Sequence, residues 1–189
     1  DLGLVERQEA DEIHTSEGIH HGDTDHHAHH HGEFDPHTWL DPILAQNMIE
    51  VILAAMVNID PENKTFYEVN AKTLKKQFSK INQAYEVGLK ECVNKEAIVA
   101  HDAYRYLSNR YNFKLHAIAG IAPRDEPSAK ILVALKQKAN KGLTHILVEQ
   151  NASKVFADTL VRETGLRTLP INPLGRGPLA DEKNFFDIM

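Results

Sequence analysis

The chain has 189 residues, of which 42% are hydrophobic, 25% charged and 7% aromatic, a globular composition that fits one large domain or one and a half small ones. Its net charge is −6 with neutral histidines, and it has no basic stripe. Nucleic-acid binding is therefore disfavoured, because phosphate recognition uses clustered Lys and Arg. The single cysteine, Cys92, excludes an intrachain disulfide and a cysteine-based zinc site.

Membrane and targeting signals are weak in this sequence. The longest apolar run, 51–57, is far shorter than the roughly 20 residues that a membrane span needs. No charged-then-apolar signal segment opens the chain, which begins on Asp1. We therefore expect a protein that does not itself span a membrane, whose signal peptide has been removed and whose C-terminal end is truncated.

Residues 1–33 have little apolar periodicity and carry many acidic residues, so we predict a mobile loop. Imidazole nitrogen suits zinc, copper, nickel and iron, so the histidines of this segment predict metal capture of low affinity. The alternative is a solvated or engineered polyhistidine run, which the interrupting Gly, Asp, Thr and Ala residues disfavour. The candidate loop ligands are His20, His21, His26, His27, His29, His30 and His31.

Two helices are predicted next. Asp41 is a helix N-cap followed by Pro42, and residues 42–58 are apolar nearly all round, as in a buried helix. A second cap at Asp60 opens a long helix over 61–92. Apolar positions in it recur at spacings of three and four, which predicts one buried face formed by Tyr67, Ala71, Leu74, Phe78, Ile81 and Tyr85.

The remainder of the chain alternates short apolar runs with amphipathic stretches. We predict strands at 97–101, 114–120, 145–150 and 167–172, with helices from Ala103, Ser128 and Ser153 between them. Such alternation predicts an α/β fold with a parallel sheet, in which ligands gather at the carboxyl ends of the strands. These ends carry His101, Gly120, Glu149 and Asn172.

Two histidines stand at positions that the backbone should hold rigidly. His37 lies between Asp35-Pro36, which restricts the chain, and Trp39-Leu40, which can anchor it in a core. His101 closes the first predicted strand, with Asp102 as the predicted N-cap of the next helix. Each histidine alone would more often have a structural role. Together, in so histidine-rich a chain, they favour a metal site.

Other polar residues have weaker signals. His116 and His145 fall inside or at the start of strands, where a hydrogen-bonded structural histidine is the better interpretation. Glu149 and Asn172 could supply oxygen ligands or orient an imidazole, and loop capping is the alternative for both. The common hydrolase and nucleotide-binding motifs are absent from the sequence, so we expect no enzyme. The competing class is a zinc-dependent hydrolase that activates water between His37 and His101 near Glu149.

Several linked motifs resemble the metal-specific solute-binding proteins of zinc and manganese ABC uptake transporters, the ZnuA/TroA-like family. The resemblance implies two α/β lobes joined by a rigid backbone helix, with metal bound between the lobes. Residues 34–60 would end an N-terminal lobe that this chain mostly lacks, 61–92 would be the backbone helix, and 93–189 the C-terminal lobe. The motifs are DPHTWLDP (35–42), AHDAYRYL (100–107), GIAPRDEPSA (120–129), VEQ (148–150) and INPLG (171–175).

The resemblance also implies a ligand set and a role. His37 and His101 match metal-binding histidines of the family, and a histidine at position 101 points to Zn²⁺ rather than Mn²⁺. Asn172 stands where many members have an aspartate ligand, and a neutral amide binds zinc more weakly. Trp39 and Glu149 are candidates for contacts that orient these ligands.

The implied function is capture of zinc and its delivery to a membrane ABC permease during a transient encounter. The implied location is the periplasm, or the cell surface as a lipoprotein of a Gram-positive organism, and the implied state of the full-length protein is a monomer. The alternatives are a manganese- or iron-binding homologue and a zinc buffer that has no permease.

Overall fold

The computed structural model describes residues 34–119, 129–149, 154–175 and 185–188. A short 3-10 turn at Thr38–Leu40 precedes the first helix, and another at Pro61–Asn63 joins the first helix to the second. The helices and strands of the described residues are, in chain order, α1 (Pro42–Ile59), α2 (Lys64–Lys90), β1 (Glu96–His101), α3 (Arg105–Tyr111), β2 (Lys114–Ala119), α4 (Ala129–Asn140), β3 (His145–Glu149), α5 (Lys154–Thr164), β4 (Arg167–Ile171) and α6 (Phe185–Ile188).

The four strands form one parallel sheet in the order β2-β1-β3-β4. The predicted α/β class and the predicted strands are confirmed, with bounds that differ by one residue or less. The chain runs outward from β1 to β2 and then returns to the other side of β1 for β3 and β4. The direction of winding therefore reverses between β1 and β3, and ligands of open parallel sheets bind at the carboxyl ends of the strands that flank such a switch point.

Apolar side chains cover both faces of the sheet. One face packs against α4 and α5 through the buried residues Ile98, Ile118, Leu135, Leu143, Ile146, Val148, Leu160 and Leu166. The other face packs against the segment before α1, the loop before α3, and α3 itself, through Leu40, Val99, Ala103, Tyr104, Leu107 and Ala117. This second cluster brings the Trp39-Leu40 anchor onto the sheet, which places the predicted metal-ligand segment beside the strands.

Helix α2 is the predicted long helix, but the predicted start is wrong: α2 begins at Lys64 after a separate 3-10 turn, and the Asp60 side chain does not cap it. Its 27 residues span about 40 Å at about 1.5 Å per residue. The predicted apolar face is confirmed in part, because Ala71 and Phe78 are buried but Leu74 is exposed. The ring of Phe78 contacts the rings of Phe185 and Phe186 from α6, with centroids 5.4 and 5.0 Å apart. The C-terminal aromatic pair therefore packs on the long helix.

The environment of α1 differs from the expectation of a buried helix. Only its first turns contribute buried residues, and Val51 is 57% and Ile59 82% exposed. The reason is that, in the part of the chain that the structure describes, α2 is the main element packed along α1. By length and composition, helix α1 is long and apolar enough to cross a membrane. This is weak evidence, because core helices of soluble proteins meet the same criterion, so the expectation of a chain that spans no membrane stays a prediction.

The predicted helix starts are partly confirmed. Helix α1 begins at Pro42 after the Asp41 cap, whose carboxylate accepts hydrogen bonds from the amides of Ile43 and Leu44. The cap predicted at Asp102 is wrong: α3 begins three residues later with Tyr104 as N-cap, and the Asp102 carboxylate instead accepts a hydrogen bond from Arg105. The predicted starts of α4 at Ser128 and α5 at Ser153 lie outside the described residues.

The structural interpretation of His116 is confirmed. The residue is buried in β2, its Nε2 lies 2.8 Å from Oε2 of Glu96, and its Nδ1 lies 3.1 Å from Nζ of Lys138. An ammonium group can only donate, so Nδ1 is the acceptor and Nε2 donates to the carboxylate. His145 bonds the hydroxyl of Thr144 at the start of β3, also as predicted. Both histidines lie away from the carboxyl ends of the strands.

Candidate metal site

His37 is held by the aspartate that lies two residues before it. Oδ1 of Asp35 accepts a hydrogen bond from the backbone amide of His37 at 3.0 Å and lies 2.7 Å from its Nδ1. The two residues are 3% and 6% exposed, so this contact is buried. A carboxylate only accepts hydrogen bonds, so Nδ1 carries the proton and the lone pair of the neutral ring lies on Nε2. This is the tautomer and the carboxylate partner that metal-binding histidines typically have.

Helix α3 fixes the segment that carries His37 at two points. The hydroxyl of Tyr106 donates to the backbone carbonyl of Asp35 at 2.8 Å. Nε of Arg110 lies 2.6 Å from each carboxylate oxygen of Asp41, the cap of α1. Since α3 follows His101 closely in the chain, one short helix connects the two segments that the sequence predicts to bind metal.

Trp39 links the same segment to the end of β4. Its ring centroid lies 5.3 Å from that of His37, at a tilt of 60°, and its Nε1 donates to the carbonyl of Pro173 at 2.8 Å. A Cβ atom added at Gly175 would lie 3.6 Å from the indole, an ordinary contact distance. The prediction that Trp39 helps to orient the site has this support: the indole both contacts the imidazole and joins the DPHTWLDP and INPLG motifs.

Asn172 follows β4 and shapes the turn after it. Its Oδ1 accepts a hydrogen bond from the backbone amide of Leu174 at 2.8 Å, and Leu174 has a φ of 56°, a conformation that L residues rarely adopt. The predicted alternative of loop capping therefore has direct support. The role of Asn172 as a metal ligand stays a prediction, and it would have to use the second lone pair of an oxygen that already accepts one hydrogen bond.

His101 is the last residue of β1, at the edge where the winding of the sheet reverses. Its backbone pairs with that of Ala119 in β2, while its side chain lies outside the described atoms. On the other side, Val99 pairs with Leu147 of β3, so continuing this parallel register by two residues places Glu149 beside His101. The backbone thus brings the predicted ligand and a predicted orienting carboxylate to the same point of the sheet edge.

Tyr104 lies just after this edge, and its hydroxyl oxygen is buried without a hydrogen-bond partner among the described residues. Burial raises the pKa of its phenol well above the usual range, and the negative charge of Glu149 raises it further. The phenol is therefore neutral at physiological pH and can act as a hydrogen-bond donor.

The structure brings some of the predicted site residues together and leaves others untested. Among the described side chains, no three His, Cys, Asp or Glu residues are close enough to form a metal site by themselves. The seven loop histidines, Gly120 and the GIAPRDEPSA motif lie outside the described residues, except for Ala129 at the start of α4.

Sequence reasoning missed Tyr106 and Arg110, which stand one turn apart on α3. It treated Asp35 only as a backbone restraint, although an Asp two residues before a candidate ligand is a signal for a carboxylate partner.

Comparison with known proteins relates this chain to proteins of zinc uptake. A family model described as ZnuA, zinc-uptake complex component A, periplasmic, matches residues 3–189. The zinc-binding lipoprotein AdcA of Streptococcus pneumoniae (strain ATCC BAA-255 / R6) is 34% identical over 188 residues, 97% of this chain and 35% of that protein. The high-affinity zinc uptake system protein ZnuA of Bacillus subtilis (strain 168) is 40% identical over 141 residues, 74% of this chain and 44% of that protein. The chain thus spans less than half the length of these curated relatives.

The fold agrees as well. The crystal structure of the Zn(II)-bound ZnuA-like domain of Streptococcus pneumoniae AdcA superimposes with a TM-score of 0.73 at 33% identity, covering 87% of this chain and 63% of that one. The family match extends over nearly the whole chain, including the histidine-rich segment and both predicted ligand histidines. The chain therefore belongs to the ZnuA family.

Proposed function

We propose that this chain is the zinc-binding part of a solute-binding protein that captures Zn²⁺ and delivers it to an ABC permease in the membrane. The observation that carries the proposal is the buried contact between Asp35 and Nδ1 of His37, which fixes the tautomer in which Nε2 coordinates a metal. His101 is the second proposed ligand, because it ends β1 beside the switch point of the sheet. In this proposal the protein binds its cargo and performs no chemical reaction on it.

Zinc is the metal that this arrangement favours. Imidazole nitrogen suits Zn²⁺, whereas Mn²⁺ prefers carboxylate and carbonyl oxygen. Two imidazoles leave a tetrahedral ion short of ligands. We propose that the remaining positions are taken by water, by a loop histidine, or by an oxygen at the sheet edge such as that of Asn172. In this proposal the full-length protein is a monomer that works outside the cytoplasm. It contacts its permease transiently, since capture and release require one metal ion and one partner.

The test is zinc affinity measured by calorimetry in competition with a strong chelator. We expect His37→Ala and His101→Ala each to lower the affinity at least about tenfold, because each removes a ligand. His145→Ala is the matched control: it removes a partly buried histidine from the start of β3, away from the site, and should leave the affinity unchanged. Unchanged affinity in both ligand variants would overturn the proposal.

Metal content and uptake test the remainder of the function. The untagged protein, purified without chelators, should contain zinc in excess of manganese and iron. Cells that lack the gene should grow poorly in zinc-depleted medium, and the intact gene should restore growth where the His37→Ala gene does not. Predominant manganese would favour the manganese-binding alternative, and normal growth of the deletion strain would favour a zinc buffer.

A further inference from the structure

The buried hydroxyl of Tyr104 is an energetic anomaly in this fold. The residue is 4% exposed, and no described group accepts from or donates to its oxygen. Leaving such a group unsatisfied destabilises the fold, whereas phenylalanine would fill the same space without an unpaired hydroxyl. A partner that arrives with the cargo would explain the hydroxyl at this position.

Glu149 is the charged group best placed to become that partner. It ends β3, its negative charge acts on the Tyr104 phenol, and the strand register places it beside His101. A carboxylate is an acceptor and a neutral phenol is a donor, so the two groups are complementary.

The contact between Asp35 and His37 shows what the Glu149 carboxylate would do for His101. Asp35 accepts from Nδ1 of His37 at 2.7 Å and thereby sets which nitrogen of that ring is available to a metal. We propose that Glu149 does the same for His101, and that the Tyr104 hydroxyl donates to Glu149 in the zinc-loaded protein and holds it in place. Both are positioning residues that act on the metal through His101. This inference rests on the proposed function, in which His101 is a zinc ligand.

The first test separates metal affinity from stability. Zinc affinity is measured at buffered free zinc low enough to leave weak sites empty, in the intact protein, Tyr104→Phe and Glu149→Gln. We expect each variant to lose about tenfold in affinity. The double variant should lose less than the sum of the two single free-energy changes, because the two groups act as one unit. The melting temperature of metal-free Tyr104→Phe should not fall, since the hydroxyl has no partner to lose.

Tyr111→Phe is the matched control. Its hydroxyl donates to Oδ1 of Asn82 at 3.0 Å, on the side of α3 that faces α2. We expect this variant to lower the melting temperature of the metal-free protein slightly and to leave zinc affinity unchanged. The same result from Tyr104→Phe would show that its hydroxyl is only structural, and it would overturn the inference.

A spectroscopic readout distinguishes positioning from general destabilisation. In the zinc-loaded protein, the ¹⁵N shifts of the His101 ring should report one protonated and one metal-bound nitrogen, and Glu149→Gln should change the shift of the protonated nitrogen. Unchanged shifts and unchanged affinity in Glu149→Gln, with tight zinc binding by the intact protein, would overturn the inference alone. Failure of the intact protein to bind zinc would instead overturn the proposed function.

Discussion

Nδ1 of His37 lies 2.7 Å from Oδ1 of Asp35 in a buried contact that spans only two residues of the chain. The same carboxylate oxygen also accepts a hydrogen bond from the backbone amide of His37, so Asp35 fixes both the backbone and the ring of the proposed ligand. Because a carboxylate partner sets the tautomer and makes the ring more basic, Asp35 should contribute to zinc affinity without contacting the ion.

Asp35→Asn tests this role. The amide oxygen can still accept the backbone hydrogen bond, so the change removes chiefly the negative charge next to the ring. We expect zinc affinity to fall about tenfold, within the range known for partners of metal-binding histidines, as measured by chelator competition. Asp60→Asn is the control, because that aspartate lies just after the C-terminal end of α1, away from His37, and accepts hydrogen bonds from Asn63 and Tyr67. Equal affinity in Asp35→Asn and the intact protein would contradict the assigned role.

Arg110 joins α3 to the start of α1, and its removal should destabilise the fold. The Asp41 side chain is almost fully buried, and Arg110→Ala would leave it, among the described residues, with only the two capping amides as partners. We expect the free energy of unfolding to fall by about 1–3 kcal/mol, less than for a fully buried pair because the arginine is partly exposed. Urea unfolding of the metal-free protein measures this. Arg162→Ala, which removes a surface pair with Glu163, should change stability by less than about 0.5 kcal/mol.

The Asn172→Asp variant tests whether position 172 contributes to metal binding. One oxygen of the new carboxylate can keep the bond to the Leu174 amide, and the second adds negative charge near the site. We therefore expect zinc to bind about tenfold more tightly, since carboxylate is a better zinc ligand than amide. Asn94→Asp is a close control: Oδ1 of Asn94 also accepts the amide two residues later, but at the opposite edge of the sheet. If both variants bind zinc like the intact protein, position 172 lies outside the coordination sphere.

Local sequence patterns predicted the elements because each pattern had a local physical cause. Asp41-Pro42 satisfies the free amides of a helix start, and the structure has α1 begin there. The alternation of apolar runs and amphipathic stretches gave the parallel sheet and placed His101 and Glu149 at strand ends. His116 was correctly interpreted as structural from its position inside a strand.

Contacts between distant segments could not be predicted in the same way. The bonds from Tyr106 to Asp35 and from Arg110 to Asp41 span about seventy residues, and nothing in the local sequence of α3 indicates which partner its polar side chains reach. The burial of α1 was mispredicted for the same reason. Its composition indicates an apolar helix, but exposure depends on which elements pack against it.

The Glu96 carboxylate should make the stability of the protein depend on pH in the acid range. The hydrogen bond from His116 lowers its pKa below the ordinary value of 4.5, and the charges of Lys114 and Lys138 act in the same direction. A lowered pKa gives stability that is present above the ordinary value and is lost as the pH falls through the folded-state pKa. Glu96→Gln should therefore flatten the decline in stability below about pH 4.5.

The size of this effect should be modest, because about half of the Glu96 side chain is exposed to solvent. We expect Glu96→Gln to cost less than about 1 kcal/mol near pH 7. Urea unfolding across the acid range measures it, with the surface variant Glu163→Gln as control. If the stability of Glu96→Gln falls as steeply in acid as that of the intact protein, other carboxylates cause the decline.

Deletion of residues 14–31 tests whether the loop histidines and His37 belong to separate metal sites. The seven loop histidines can offer many alternative ligand sets, so we predict that their affinity for zinc is low. His37 is held by Asp35, Trp39 and the 3-10 turn before α1, so it loses little conformational entropy when it binds a metal ion. We expect the deletion to reduce the number of weakly bound zinc ions in calorimetry and to leave the tight site unchanged.

A variant with serine in place of the seven loop histidines keeps the length of the loop and should give the same result. If the serine variant loses the tight site as well, a loop histidine completes the coordination of zinc, and the loop is part of the main site.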